Sequence, residues 1–415
     1  MSTPPSRPSY AAVLRVPHAR RTFTAALTAR LSYGTVSPAV LLSVTHATGS
    51  YAVSGTVLSL FGATTVFLTP LRAALIDRHG PRRVLPPMSA LYGALLSILA
   101  VLTWRPGAPA AAVGLTAALA GSCAPPLGPT MRALWSELVT DRDLLRRAYS
   151  LDGVAEELLY VSGPALIATL GGFAPPAAGI LLSAALNAGG TCAFVTSPAM
   201  TRQRPGPASA GPAGEEPGRE RVARLRGLWP PVVVVLGAGL ALSAVELLVM
   251  AYATDRSYDP ALVPWVLGAL SAGSALGGLA NGVVRWRASA RTRLCRFAAG
   301  LGLVLAAAGL APGLGTLAAT LACAGAFIAP ALTTAYLLAD ESAPESARTQ
   351  AGAWVNMAVN AGSSGGAMAA GLVIGRLPLP LCFTLAGAAA LVAAVAAGSR
   401  TAGTAGVGAA PVRRR

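Results

Sequence analysis

The sequence predicts an all-α membrane protein with about twelve transmembrane helices in two halves of six. Three observations support this fold class. The 415 residues are 54% hydrophobic and only 12% charged, with a mean hydropathy of +0.59, a composition that soluble chains do not have. Long apolar stretches recur along nearly the whole chain, and arginine is concentrated in alternate connections between them.

The apolar stretches fall into two sets of six that flank one hydrophilic segment. A helix needs roughly 20 apolar residues to cross the hydrocarbon core of a bilayer. The predicted crossings are 23–44, 52–71, 84–103, 110–134, 154–173 and 177–197 in the first half, and 231–253, 262–284, 294–311, 314–338, 351–374 and 379–397 in the second. We therefore predict six-helix halves at 23–197 and 230–399, preceded by a cytoplasmic tail at 1–22.

Two hydrophilic segments lie outside these halves. Residues 198–229 include six Arg and three Glu among many Pro, Gly and Ala. Such a composition cannot bury an apolar core, so this segment is predicted to be a cytoplasmic linker. Residues 400–415 are rich in Gly and Ala and end in three arginines, which predicts a disordered cytoplasmic tail.

The basic residues indicate the orientation and exclude two classes of protein. All 32 Lys+Arg residues are arginine, and 28 of them lie in cytoplasmic segments or at the cytoplasmic ends of crossings if the N-terminus is inside. Three lie in outer loops (Arg105, Arg256, Arg376), and Arg30 lies within the first crossing. This asymmetry predicts that both termini are cytoplasmic. The missing lysine excludes a Walker A loop, and the spread of the arginines between apolar segments excludes nucleic acid as a partner.

The connection between the second and third crossings reads LRAALIDRHGPRRVL, at 71–85. An Asp followed by a Gly turn and an Arg pair predicts a rigid cytoplasmic hairpin whose charges can hold another helix end. The string resembles the signature of the major facilitator superfamily, except at Leu71-Arg72, where that family usually has glycine. The resemblance implies two six-helix halves and a cytoplasmic gate motif formed by Asp77, Arg78, Gly80, Arg82 and Arg83. The alternative is that these arginines only set the orientation of the chain.

The fifth crossing contains YVSGPALIATLGG, at 160–172. A Gly-Pro step removes a helical hydrogen bond and lets a neighbouring helix approach, so we expect a kink there. Gly163 and Pro164 resemble the Gly-Pro motif of antiporters in the same superfamily, which implies export. A kink with a purely structural role is the alternative.

Glu246 lies about 15 residues into the seventh crossing, roughly 22 Å along a helix. An acid at that depth is costly when charged, so it is predicted to carry a coupling proton or to form a static pair. The residues around it resemble the seventh helix of a group of actinobacterial facilitators.

Polar side chains in two other crossings are candidates for the substrate cavity. Arg30 and Tyr33 of the first crossing could line it, with Arg30 binding an anion or pairing with Glu156 or Glu157; the alternative is an Arg30 that snorkels to the interface, with both glutamates solvated. Asn356 and Asn360 of the eleventh crossing are spaced i,i+4, which suits either a substrate path or packing between helices. The nearby Gly362-Ser363-Ser364-Gly365-Gly366 matches GxSxG formally, but all three histidines precede residue 80, so a serine hydrolase is not predicted.

These features together predict a secondary active transporter rather than an enzyme. It exports small organic molecules by proton antiport through alternating access; the alternatives are a proton-coupled symporter that imports a small metabolite and a non-transporting receptor. No cofactor or metal is expected. The predicted partners are a small-molecule substrate, protons and the lipid bilayer, and the chain acts as a monomer in a bacterial plasma membrane.

Overall fold

A computed structural model describes residues 10–202, 217–259, 262–284, 286–344 and 347–399. The described residues form seventeen α-helices and two compact units. Unit 1 comprises Met1–Glu216, Leu279–Val283 and Ala343–Met357, and unit 2 comprises Pro217–Gly278, Val284–Ser342 and Ala358–Arg415. The first unit thus contains the predicted first half and two short segments from later in the chain.

Ten helices lie in unit 1: α1 (Tyr10–Arg15), α2 (Ala19–Thr48), α3 (Tyr51–Phe67), α4 (Thr69–His79), α5 (Pro81–Leu102), α6 (Ala110–Cys123), α7 (Leu127–Leu138), α8 (Arg142–Gly171), α9 (Ala177–Val195) and α10 (Pro198–Arg202). The remaining seven are α11 (Pro217–Asp255), α12 (Val263–Val283), α13 (Ala290–Ala308), α14 (Leu314–Gly325), α15 (Ile328–Ser342), α16 (Arg348–Val373) and α17 (Leu379–Ser399). The last turn of α12 and the first part of α16 belong to unit 1.

Eight stretches of the described residues are long and apolar enough to cross a membrane. The other four predicted crossings fall on α2, α8, α13 and α16, which contain more charged or polar residues. The total of twelve crossings and the cytoplasmic location of both termini remain predictions.

Three of the predicted crossings are broken into two helices. In the second, α3 ends at Phe67 and α4 begins at Thr69, where Pro70 cannot donate to the preceding turn. In the fourth, α6 ends at Cys123 and α7 begins at Leu127, after the pair Pro125-Pro126. In the tenth, α14 ends at Gly325 and α15 begins at Ile328. Each of these three crossings therefore consists of two helices, and each break leaves some backbone groups without helical partners inside an apolar stretch.

Helix also extends into the predicted linker. Helix α10 covers Pro198–Arg202, and α11 begins at Pro217 rather than near 231, with Pro230 and Pro231 inside it. Residues 203–216 of the linker and the whole predicted tail at 400–415 lie outside the described residues, as do 1–9.

Glycines set the closest helix contacts in unit 2. Any Cβ on Gly362 or Gly366 of α16 would overlap backbone carbonyl groups of α11, at Leu236 and Leu240 respectively. Ser364 donates to the carbonyl of Asn360 at 3.0 Å, within its own helix. The GxSxG string therefore lies in a helix that uses its glycines for close packing rather than in a strand-to-helix elbow.

Candidate functional site: a buried ion network in unit 1

Four charged side chains from three helices of unit 1 form a closed network. Helix α2 contributes Arg30, α7 contributes Arg132, and α8 contributes Asp152 and Glu156. The two carboxylates are four residues apart on α8, so they lie on one face of the helix. Each arginine binds both carboxylates, and the formal charges of the four groups sum to zero.

The contacts of this network are short. Arg30 Nη1 lies 2.6 Å from Asp152 Oδ1, and Arg30 Nη2 lies 3.0 Å from Glu156 Oε2. Arg132 Nε lies 3.0 Å from Asp152 Oδ2, and Arg132 Nη2 binds Glu156 Oε2. The side chains of Arg30 and Asp152 are fully buried, whereas 22% of the Glu156 side chain is exposed. Glu156 is therefore the member that solvent or a ligand can reach.

This geometry corrects two expectations about Arg30 and Glu156. Arg30 does not snorkel, because its guanidinium is buried and ion-paired. Glu156 is not a solvated cytoplasmic carboxylate, since it binds two arginines within the helix bundle. The sequence reasoning missed Asp152 and Arg132. Arg132 lies inside the predicted crossing at 110–134, and a charge in such a position already marks a candidate site.

Tyr33 lies one turn beyond Arg30 on α2 and closes the break between α6 and α7. Its hydroxyl donates to the carbonyl of Pro125 at 2.6 Å and accepts from the N–H of Leu127 at 3.1 Å. The same two backbone groups also bond each other, because the N–H of Leu127 donates to the carbonyl of Pro125 at 2.9 Å, so Tyr33 adds to a small hydrogen-bonded cluster at the break. The hydroxyl of Tyr33 therefore already has a donor and an acceptor partner in this state.

Arg72 is a second buried cation that the sequence reasoning treated only as a departure from a motif. Its Nη1 donates to the carbonyl of Gly121 at 2.8 Å, and its Nη2 donates to Thr69 Oγ1 at 2.7 Å and to the carbonyl of Thr65. Two of these oxygens lie near the C-terminal ends of α3 and α6, where the helix dipole favours a cation.

The predicted gate motif forms the junction of α4 and α5. Gly80 separates the two helices with a φ of 84°, a conformation that glycine adopts without strain. Arg82 and Arg83 are exposed in the first turn of α5, and Arg78 is exposed at the end of α4. Asp77 accepts hydrogen bonds from the N–H groups of Thr349 at 3.2 Å and Gln350 at 2.8 Å. Both belong to the first turn of α16, so Asp77 caps that helix end from another element of unit 1.

The Asp77→Asn variant is expected to weaken this cap. The amide keeps the size of the side chain and an acceptor oxygen but removes the negative charge that favours a helix N-terminus, at a cost of about 0.3–1 kcal/mol. Hydrogen exchange should therefore become faster at the amides of Thr349 and Gln350. Arg83→Gln, which changes an exposed charge of the same motif, serves as the control. Equal exchange rates in the two variants would contradict the capping role.

Two further side chains hold the last turn of α12 within unit 1. Tyr10 of α1 donates to the carbonyl of Leu279 at 2.6 Å, and Arg147 Nε donates to the carbonyl of Gly282 at 2.7 Å. Burial raises the pKa of the Tyr10 hydroxyl, so it stays protonated and able to donate. Neither residue carries a sequence motif that would have identified it.

Gly163, beside Pro164, lies where α8 crosses α2. A Cβ on Gly163 would overlap the carbonyl group of Gly34 and lie 2.6 Å from its Cα. Helix α8 is α-helical through Pro164. The two backbones therefore meet with no side chain between them, the close approach that a Gly-Pro step allows.

None of the other candidates belongs to the network. Glu246 belongs to unit 2, where its exposed side chain makes no hydrogen bond or ion pair to any residue in the described ranges. Asn356 and Asn360 are both half-buried on α16, the first in unit 1 and the second in unit 2.

Comparisons with solved structures agree with this helical architecture. The human organic anion transporter MFSD10 (TETRAN) is 15% identical, with a TM-score of 0.69 over 94% of this chain and 100% of that one. A variant of the E. coli fucose:proton symporter FucP is 14% identical, with a TM-score of 0.69 over 95% of this chain and 99% of that one. An outward-facing bacterial homologue of the iron transporter ferroportin is 15% identical, with a TM-score of 0.71 over 93% and 99%. At these identities the likeness concerns the fold.

The family itself is shown by the sequence comparison. No curated protein matches the chain. The family model of the Major Facilitator Superfamily matches residues 22–312, which is more than half of the chain. The chain therefore belongs to the major facilitator superfamily, and it is a multi-pass membrane transporter for a small-molecule substrate.

Proposed function

We propose that the chain exports small organic molecules by proton antiport through alternating access, in a bacterial plasma membrane. The observation that carries this proposal is the backbone contact between Gly163 and Gly34, next to Pro164. The Gly-Pro pair resembles that of superfamily antiporters. Backbones that touch leave no room for water between the two helices, and a coupled antiporter must prevent such a leak of protons.

Glu246 is proposed to carry the coupling proton. It lies inside the apolar stretch Gly227–Asp255, where a charged carboxylate is costly unless it is paired or hydrated. In the described residues its carboxylate has no partner that would fix its charge state. Protonation of Glu246 removes the cost of burying its charge. The protonated side chain therefore favours an apolar environment, whereas the ionised side chain favours a hydrated one.

Proton movement in everted membrane vesicles tests this proposal. Respiration acidifies the lumen, and a panel of cationic dyes, neutral antibiotics and carboxylate-bearing compounds is then added. An exporter that works by antiport carries a compound into the lumen and releases protons from it. We expect Glu246→Gln to abolish this release, because the amide cannot bind and release a proton.

Asp255→Asn is the matched control, since it neutralises an exposed carboxylate at the end of the same helix. It should release protons as the wild type does, at equal protein content in the vesicles. A full response in Glu246→Gln would remove Glu246 from the coupling role. If no compound releases protons in the wild type, the antiport proposal fails.

Proton-coupled import by symport is a second candidate, and the pair Arg30 and Arg132 favours it. Two guanidinium groups in a largely buried network suit an anion, which can cross together with a proton. Right-side-out vesicles without an energy source separate the two mechanisms. Uptake of an added substrate makes the medium alkaline under symport and acidic under antiport.

A further inference from the structure

Gly128, in the first turn of α7, leaves room for one methyl-sized group beside the ion network. The position that its Cβ would occupy lies 3.6 Å from Arg132 Nη1, 3.9 Å from Glu156 Oε1 and 4.0 Å from Arg30 Nε. Charged atoms from three helices thus surround one small volume that contains no side chain. We refer to this volume as the Gly128 cradle.

Arg30 Nε lies beside this cradle and has no hydrogen-bond partner among the described residues. The side chain of Arg30 is fully buried, and its Nη1 and Nη2 are within ion-pair distance of Asp152 and Glu156. Buried polar atoms nearly always have a partner, and a donor left without one costs about 1–3 kcal/mol. An unpaired N–H of a buried cation therefore indicates a missing acceptor.

The start of α7 adds to the positive potential of the cradle. The helix begins at Leu127, inside the apolar stretch Ala110–Leu138, because Pro125 and Pro126 interrupt the chain before it. The helix dipole is positive at this end, although the N–H of Leu127 already has acceptors in Tyr33 and Pro125, and Pro129 has no N–H. Broken membrane helices bind anionic substrate groups at such ends.

We infer that the Gly128 cradle binds one negatively charged group, of the size of a carboxylate, on the transported molecule. The inference rests on the proposed transport function and names the class of substrate. Arg30, Arg132 and Asp152 alone carry a net charge of +1, which one monoanionic group neutralises. A carboxylate that takes the place of the Glu156 carboxylate beside Gly128 can bring its oxygens to the usual charge-assisted distance of about 2.7–2.9 Å from the guanidinium nitrogens of Arg30 and Arg132.

Glu156 competes with this ligand. Its Oε2 already binds both arginines, and its Oε1 faces the cradle, where it repels an anion. Because part of its side chain is exposed, Glu156 can turn away and give its place on the guanidinium groups to the ligand. Asp152 is fully buried and stays in place, so the two arginines remain positioned during the exchange.

Binding of radiolabelled benzoate to the purified full-length protein tests the inference, by equilibrium dialysis with neutral benzamide as competitor. Gly128→Ala should weaken benzoate binding at least tenfold, because the methyl group occupies the cradle at ordinary contact distances without displacing its neighbours. Gly153→Ala is the matched control: it lies on α8 with nothing within 4 Å of its Cβ position, and should bind benzoate like the wild type.

Glu156→Gln tests the competition and should bind benzoate at least tenfold more tightly than the wild type, because the amide no longer repels the anion. Equal binding by Gly128→Ala and Gly153→Ala would overturn the inference. So would an absence of benzoate binding in both the wild type and Glu156→Gln, or displacement by benzamide. Benzoate binding is measured without a membrane, so its outcome does not depend on proton movement in vesicles. The binding inference can therefore fail while the transport proposal holds, and the transport proposal can fail while benzoate still binds.

Discussion

The Asp152→Asn variant is expected to lose about 3–5 kcal/mol of stability in unit 1, and transport with it. Both oxygens of Asp152 bind arginines, and its side chain is fully buried. The amide keeps the shape but leaves Arg30 and Arg132 with one uncompensated positive charge in an apolar environment. Removing one partner of a buried pair is far more costly than replacing the whole pair, because the remaining charge cannot be hydrated.

Thermal unfolding of the purified protein in detergent measures this loss. Asp143→Asn is the control, since Asp143 pairs with Arg146 at 3.1 Å but 44% of its side chain is exposed. A pair of that kind contributes only about 0–1 kcal/mol. If the two variants unfold at the same temperature, the network around Asp152 does not stabilise unit 1.

The second large effect is expected for Gly163→Ala. The added methyl group would overlap the carbonyl group of Gly34, so α2 and α8 must move apart by the width of a side-chain atom. Overpacking of this kind costs about 1–3 kcal/mol, and here the obstacle is backbone, which cannot rotate away as a side chain can. Transport should fall even where the protein still folds, because the seal between the two helices opens.

Gly171→Ala separates this effect from a general effect of alanine on α8. Gly171 is the last residue of the helix, and nothing lies within 4 Å of its Cβ position. Proton leak and substrate flux in vesicles should match the wild type in Gly171→Ala and differ in Gly163→Ala. Gly34→Ala should reproduce the loss from the other side of the contact, since its Cβ would meet the backbone of Leu159 and Gly163. Wild-type flux in Gly163→Ala and in Gly34→Ala would show that the contact between α2 and α8 tolerates a side chain.

The class of fold could be predicted from the sequence because apolar length and arginine placement are local properties. The breaks were predictable in part: Pro125-Pro126 and Pro70 stand in the printed sequence, and proline removes the hydrogen bond that would carry the helix onward. Apolar composition alone does not reveal them, since a broken crossing is as hydrophobic as a continuous one.

The ion network could be predicted only in part, for a different reason. Asp152 and Glu156 have helical spacing, but their partner Arg30 is 122 residues away from Asp152 along the chain. The local sequence pattern identifies charged residues within apolar segments. It does not identify their ion-pair partners, because these depend on which helices pack together. Gly128 carries no local signal at all: its role follows from the groups that surround it, and these come from two other helices and from the next turn of its own.

Arg72 connects the break between α3 and α4 to the end of α6, where the next broken crossing is interrupted. Its guanidinium binds the carbonyl of Gly121 near the end of α6 and oxygens of Thr65 and Thr69 on either side of the break after α3. All three acceptors are uncharged, so no proton transfer among them can release the cation. These hydrogen bonds couple the two interrupted crossings to each other, so we expect unit 1 to bend more readily at other points along the chain than at this one.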